Sequence, residues 1–239
     1  MKLFQNVKRY FAGGDCDISL PAGNVQKIIK KHTLEDWFFY SFVNRSGRRH
    51  ICEPSLWILN NIQKQSVIFE NGCGCAFNLI WLAQKGFIHL SGSDISSEAV
   101  SAGKEIASLA NLNIELWQDN GMNPERLPDC YDVLLALNWT YHVENFNFIN
   151  FINKNSITLK QNGYIVIDLI DISYNNTPNN EYLTSDWHKP IDMRLPSEYK
   201  TRYSYEDVAR MVSEVGFEVD HIIKLEQLIP RFVYILRKR

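Results

Sequence analysis

Two glycines and two cysteines stand together at Gly72-Cys73-Gly74-Cys75, directly after the apolar run Val67-Ile68-Phe69 and the acid Glu70. Thiols and glycines in that order admit three chemistries: a metal knuckle, a thiol–disulfide pair, or a bare main-chain bend that holds a small molecule. A structural zinc site takes about four ligands. Cys73 and Cys75 supply two, and no second Cys/His pair lies close in sequence, so no metal is expected. Redox pairs are more often spaced Cys-x-x-Cys. The bend remains. Glycines without Cβ let backbone approach a ligand, and a following helix aims its first amides at the same place. Cys73 and Cys75 then fill space in a tight turn.

The elements around this bend read as alternating strands and helices. "VIF" is a short buried strand, "AFNLIWLAQKG" a helix ending at Gly86, and "FIHLSGSD" a second strand ending at Asp94. A helix follows, capped by Ser96 or Ser97. "NIELWQD" ends a third strand at Asp119, and residues 131–138 form a fourth. Residues 146–160 read as a helix, and Gly163 opens a fifth strand, "GYIVIDLI". The polar stretch from Asp171 to about Ser204 exceeds an ordinary connection, and loops of that length are usually functional or mobile. A helix over "YEDVARMVSEVG" precedes two last strands whose short link requires antiparallel pairing. The expected fold is α/β, a doubly wound, mostly parallel seven-stranded sheet with helices on both faces and an antiparallel C-terminal strand. Residues 1–65 read as a helical N-terminal cap with Pro54 near a helix start, and residues 66–239 as the core, with a substrate-side insertion at about 171–204.

Composition narrows the function classes. The chain has 239 residues, 45% of them hydrophobic, enough for a large core. The formal charge of −2 lacks the basic surplus of a phosphate-backbone binder, so no nucleic acid is expected. No apolar run reaches membrane-spanning length, and the opening stretch carries charge without an apolar signal core. A soluble, cytoplasmic protein, monomeric or homodimeric, is the expectation. The five cysteines (Cys16, Cys52, Cys73, Cys75, Cys130) are odd in number and scattered, so they are expected reduced.

Nucleotide loops come in several kinds. The dinucleotide fingerprint G-x-G-x-x-G is broken by Phe77, and no Walker lysine is present. Glu70-Asn71-Gly72-Cys73-Gly74-Cys75-Ala76 resembles the first motif, acidic-x-Gly-x-Gly-x-Gly, of class I (Rossmann-like) S-adenosylmethionine-dependent methyltransferases, with Ala76 replacing the third glycine. The resemblance runs over about residues 60–239. It continues through Asp94, 24 residues after Glu70, through Asp119 in "LWQDNG", and through "LPDCYDVLLALNWTYHV", "LKQNGYIVID" and "MVSEVGFEV".

The resemblance implies S-adenosyl-L-methionine as cofactor and assigns roles. Asp94 would accept both ribose hydroxyls; alternatively it serves as a helix N-terminal acid. Asp119 would meet the adenine amino group beside the Asn120 amide, or else shape an Asp-Asn-Gly turn. Glu70 would lie near the methionine amino group, or anchor the loop. Gly72 and Gly74 form the cradle. Asn138-Trp139-Thr140-Tyr141-His142 resembles in part the Asn-Pro-Pro-Tyr motif of base and amide N-methyltransferases, with Trp139 and Thr140 at the two proline positions, so amino-group methylation is disfavoured. Asn138 then shapes the cofactor pocket through its backbone, and Trp139 packs on cofactor, core or substrate.

Methyl transfer is an in-line displacement whose main demand is alignment. An alcohol acceptor must also lose a proton, and His142 is the first candidate base, His188 the second; a structural role competes for His142, and an exposed loop position for His188. Tyr40, Arg48 or Arg49 would bind the methionine carboxylate or an anionic acceptor, against the alternative of an amphipathic core helix and a basic surface turn. The leading expectation is methylation of a small polar molecule, such as O-methylation of a sugar, glycan or related metabolite. The alternatives are an RNA or protein methyltransferase, a non-catalytic S-adenosylmethionine-binding subunit and, as an outsider, a dinucleotide oxidoreductase.

Overall fold

The computed structural model describes residues 16–239. Residues 1–15 of the expected cap, and most of the stretch read for a signal core, lie outside the described residues. The helices are α1 (Ala22–Lys31), α2 (Asp36–Val43), α3 (Arg49–Asn61), α4 (Phe77–Gln84), α5 (Ser97–Leu109), α6 (Phe148–Asn155) and α7 (Tyr205–Glu214). The strands are β1 (Val67–Asn71), β2 (His89–Asp94), β3 (Glu115–Gln118), β4 (Tyr131–Ala136), β5 (Leu159–Ile170), β6 (Phe217–Leu225) and β7 (Arg231–Lys238). They form one seven-stranded sheet in the order β3-β2-β1-β4-β5-β7-β6. β1 through β5 pair in parallel, and β7 runs antiparallel to both β5 and β6. The doubly wound fold and the antiparallel ending read from the sequence are both present.

Strand periodicity explains the two layers. Side chains two apart share a face, so Ile68, Val133, Leu135, Val166, Val233 and Ile235 join the core under α1, α3, α4 and α5. Their neighbours Phe69, Leu134, Ala136, Ile165, Ile167 and Tyr234 join the core under α6 and α7. Both faces are buried, which is why these strands read as continuous apolar runs. α5 starts where Ser96 accepts from the Ala99 amide.

Several boundaries differ from the sequence reading. β5 starts at Leu159, before Gly163, and takes residues assigned to the preceding helix, which ends at Asn155. Pro54 lies inside α3 rather than near its start, because α3 begins at Arg49. Cys16 and Cys52 form a disulfide, against the expectation of reduced thiols, while Cys73 and Cys75 are free and buried. The pair joins the chain ahead of α1 to the first turn of α3. The residues that carry it are scattered in sequence and converge only in the fold. No helix among the described residues is long and apolar enough to cross a membrane.

Residues 171–204 are folded back on themselves rather than extended. Asp171 bridges Tyr203 and Tyr182 bridges Pro196. The Arg202 guanidinium lies 4.6 Å from the Tyr174 ring centroid and donates to the Asn180 carbonyl at 2.9 Å.

Candidate functional site

The sheet order reverses between β1 and β4, and the crevice beyond their carboxyl ends is where such sheets bind ligands. A cavity of about 500 Å³ lies there, a size suited to one drug-sized ligand. It is walled by the glycine bend, the tip of β2, the loop after β3, the loop after β4, and side chains from α2 and α3. Glu70, Gly72, Gly74, Asp94, Asn120, Asn138 and His142, singled out in the sequence, all line it.

The bend needs its glycines for reasons visible in the packing. Gly72 has φ +74° and a Cβ there would lie 2.4 Å from the Trp139 ring. The ring that demands this bare backbone is the protein's own indole. Gly74 has φ +52°, and a Cβ would meet Phe38 at 3.4 Å. Ala76, in place of a third glycine, holds φ +60° as the residue before α4; the left-handed region explains why glycine suits that position.

The acids have distinct surroundings. Glu70 is 1% exposed; its Oε1 accepts from Asn78, and its Oε2 is buried with no partner among the described residues. Burial pushes its carboxyl from an ordinary 4.5 to about 8, against the Asn78 bond and the Arg45 charge. Arg45, 1% exposed, donates to Asn78 and, at 2.8 Å, to Ser55 Oγ. Asn78 thus links a buried cation to a buried acid, and burial lowers the Arg45 guanidinium to about 9. Asp94 ties two loops together: Oδ2 accepts from the Gly74 amide at 2.7 Å and Oδ1 from the Ser96 amide at 3.0 Å. The Ile95 amide also acts on this carboxylate, and with about four acceptor sites it keeps capacity for a ligand.

Asp119 does not line the cavity. Its carboxylate accepts from the Asn120, Glu125 and Arg126 amides at 2.7, 3.1 and 3.0 Å, the turn-forming alternative to a ligand contact. What Asp119 presents to the cavity is the loop it organises, Asn120-Gly121-Met122. His188 is likewise outside the cavity lining and exposed, because the nearby turn is built on Asp186, which pairs with Lys189 at 2.6 Å.

After β4 the chain turns at Asn138, φ +66°. The Asn138 amide donates to Asp168 Oδ1 at 2.6 Å, and its Oδ1 lies 2.5 Å from Tyr141 Oη and 2.8 Å from His50 Nε2. Asn138 therefore acts through its side chain as well as its backbone. Burial, aided by Arg231 and Arg48, pushes the His50 imidazole down to about 2, so it is neutral. Asp168 pairs with Arg231 at 3.0 Å, both buried, and that guanidinium lies 4.5 Å from the Tyr141 ring centroid. His142 Nδ1 is 2.8 Å from Glu198 Oε2, and this bond holds the Glu198 carboxyl below its ordinary range. Residues 171–204 thus deliver a side chain to the cavity's rim.

Among the basic candidates, Arg48 lines the cavity, Arg49 pairs with Glu53 along α3, and Tyr40 is exposed outside the lining. The sequence reading did not single out Arg45, Asp168, Arg231 or Glu198. A buried charge in an apolar run, as in "YIVIDLI", was the available signal for Asp168. Among the described residues, no group of three or more His, Cys, Asp or Glu side chains is arranged to hold a metal ion.

Residues 68–163 match a methyltransferase-domain family. Solved structures share the fold at low identity. A magnesium protoporphyrin IX methyltransferase from Synechocystis PCC 6803, crystallised with bound SAH, has 15% identity and TM-score 0.62 over 79% of this chain and 82% of its own. A Pyrococcus horikoshii OT3 protein has 16% identity and TM-score 0.63 over 81% and 90%. An S-adenosylmethionine-dependent methyltransferase from Clostridium acetobutylicum ATCC 824 has 16% identity and TM-score 0.60 over 79% and 89%. No curated protein sequence matches the chain.

Proposed function

We propose that this chain, a class I S-adenosylmethionine-dependent methyltransferase by its domain at residues 68–163, methylates a hydroxyl of a small polar acceptor, with His142 as general base. S-adenosylmethionine supplies a methyl group on a cationic sulfonium. The residues present fit it. Glu70 Oε2, buried and unpartnered, suits the ammonium of the amino-acid tail. Asp94, which lines the cavity at the tip of β2, keeps acceptor capacity for the ribose hydroxyls. Ile95 and Met122 offer apolar walls for the adenine, next to the Asn120 amide.

The observation that carries the base assignment is the His142–Glu198 bond of 2.8 Å on a residue that lines the cavity. With Nδ1–H donating to the carboxylate, Nε2 carries the lone pair. Nε2 takes the hydroxyl proton as the acceptor oxygen gains the methyl group, and Glu198 stabilises the imidazolium that results. Asn138, fixed by Asp168, Tyr141 and His50, sets the position of this loop.

The test uses S-adenosylmethionine labelled on the methyl group and a cell extract. Label is expected in the small-molecule fraction, unaffected by nuclease and abolished by prior dialysis of the extract. Label in RNA or protein overturns the acceptor class. Full turnover by His142→Ala, where chemistry limits the rate, removes the base.

A further inference from the structure

Two guanidinium groups line the cavity, Arg45 and Arg48, and a third, Arg231, acts on Arg48; Arg45 and Arg231 are matched. Arg45 is linked through Asn78 to Glu70, and Arg231 is paired with Asp168. Arg48 lines the cavity, is half-buried, and makes no side-chain hydrogen bond or ion pair among the described residues. A half-buried guanidinium without an anion is a costly arrangement in a folded protein unless a ligand completes it.

Its electrostatic neighbours are not those of Arg45 alone. Arg45 is the cation that acts on Glu70, below the glycine bend where the ammonium fits, and its buried Nε has no partner. The groups that act on Arg48 are Tyr141, Arg231, Asp168 and Tyr40, and Arg48 in turn acts on Arg45. Tyr141, which acts on Arg48, lies beside the proposed base: its ring centroid is 4.5 Å from the Arg231 guanidinium and 4.5 Å from the His142 ring centroid. The cavity lining thus carries an unmatched cation and a histidine, with the rings of Trp37, Phe38 and Trp139.

From this arrangement we propose that the methyl acceptor bears an anionic group, a carboxylate or a phosphate ester, which Arg48 binds while the hydroxyl to be methylated is presented to His142. The proposal rests on the methyl-transfer reading and adds the acceptor's charge and the residue that selects it. Planar guanidinium geometry suits both anions in bidentate fashion.

The experiment is calorimetry on protein first saturated with S-adenosylhomocysteine, titrated with benzoate, phenyl phosphate or the uncharged benzamide. At least one anion is expected to bind tenfold or more tightly than benzamide, and the preferred anion distinguishes carboxylate from phosphate. Arg48→Gln is expected to remove that preference while S-adenosylhomocysteine affinity stays within threefold; Arg48→Lys should keep part of it and guards against loss of fold. Equal binding of all three probes overturns the proposal, as does a preference that survives Arg48→Gln. A more than threefold loss of S-adenosylhomocysteine affinity in Arg48→Gln also overturns it, because the arginine then holds the cofactor's own carboxylate. Failure of the wild-type protein to bind S-adenosylhomocysteine is a different result: it removes the cofactor reading on which the proposal stands.

Discussion

Asp168, at the end of β5, and Arg231, at the start of β7, form a buried ion pair 3.0 Å long whose acid also accepts the Asn138 amide. The antiparallel register places Asp168 opposite Val233 and Ile170 opposite Arg231, so the long arginine side chain reaches back along the strand to the acid. One carboxylate therefore ties the antiparallel edge of the sheet to the loop that carries Tyr141 and His142.

Removing one partner of a buried pair leaves the other charge uncompensated. Asp168→Asn is expected to lower the unfolding free energy by about 3 kcal/mol. Combining it with Arg231→Met should recover part of that loss, since no buried charge then remains. Urea denaturation of the wild-type, single and double variants measures both effects. A single variant within 1 kcal/mol of wild type, by that order-of-magnitude scale, shows the pair to be solvated and unimportant.

Glu70 gives the site a pH dependence. Its folded carboxyl titrates near 8 against an ordinary 4.5, because burial outweighs Asn78 and Arg45, with Asp94 adding to the rise. The folded state therefore holds the proton more tightly than the unfolded chain between those values, and this group's contribution to apo-protein stability falls as pH rises through that window. Ligand binding runs the other way, because an ammonium needs the ionised carboxylate. S-adenosylhomocysteine affinity is expected to rise between pH 6 and pH 8, and Glu70→Gln should flatten that slope. An equal slope in wild type and variant assigns the titration to another group.

The loop after β3 is latched by two asparagines. Asn71 Nδ2 and Asn155 Nδ2 donate to the Gly121 carbonyl at 3.0 and 2.9 Å, and a Cβ on Gly121 would fall 2.0 Å from Asn71 Oδ1. Gly121→Ala must displace Asn71 or the loop. Since Asn120, Gly121 and Met122 line the cavity, about a tenfold loss of S-adenosylhomocysteine affinity is expected, equivalent to about 1.4 kcal/mol. Unchanged affinity in a folded variant shows that the loop does not touch the ligand.

How far the sequence led depended on the range of the interaction. The succession of strands and helices and the burial of the strands were legible because apolar runs and helical spacing are local, and the bend at Gly72-Gly74 lies between two such elements. The partners that complete the site are distant: Asp168 and Arg231 are 63 residues apart, His142 and Glu198 are 56 apart, and Arg45 and Asn78 are 33 apart. A lone charge in sequence does not name its partner. Asp119 shows the converse. Its place at a strand end suggested a ligand contact, and in the fold its carboxylate accepts from three amides of its own loop and lies outside the cavity lining.

The Cys16–Cys52 bond is another such long-range pairing, closing a span of 36 residues that contains α1 and α2. Cross-linking a loop of that size removes entropy from the unfolded chain worth about 3–4 kcal/mol. α3, which it anchors, carries Ile51 to the cavity and is preceded directly by Arg48. Cys16→Ser is expected to lower the melting temperature by roughly 6–16 °C, given 2–4 °C per kcal/mol for a chain of this size. A thiol reagent supplies an independent reading on unfolded protein that has not been reduced. Three of the five cysteines (Cys73, Cys75 and Cys130) should react before reduction and all five after it. Five reactive thiols before reduction, with an unchanged melting temperature in Cys16→Ser, show that the bond does not form in solution.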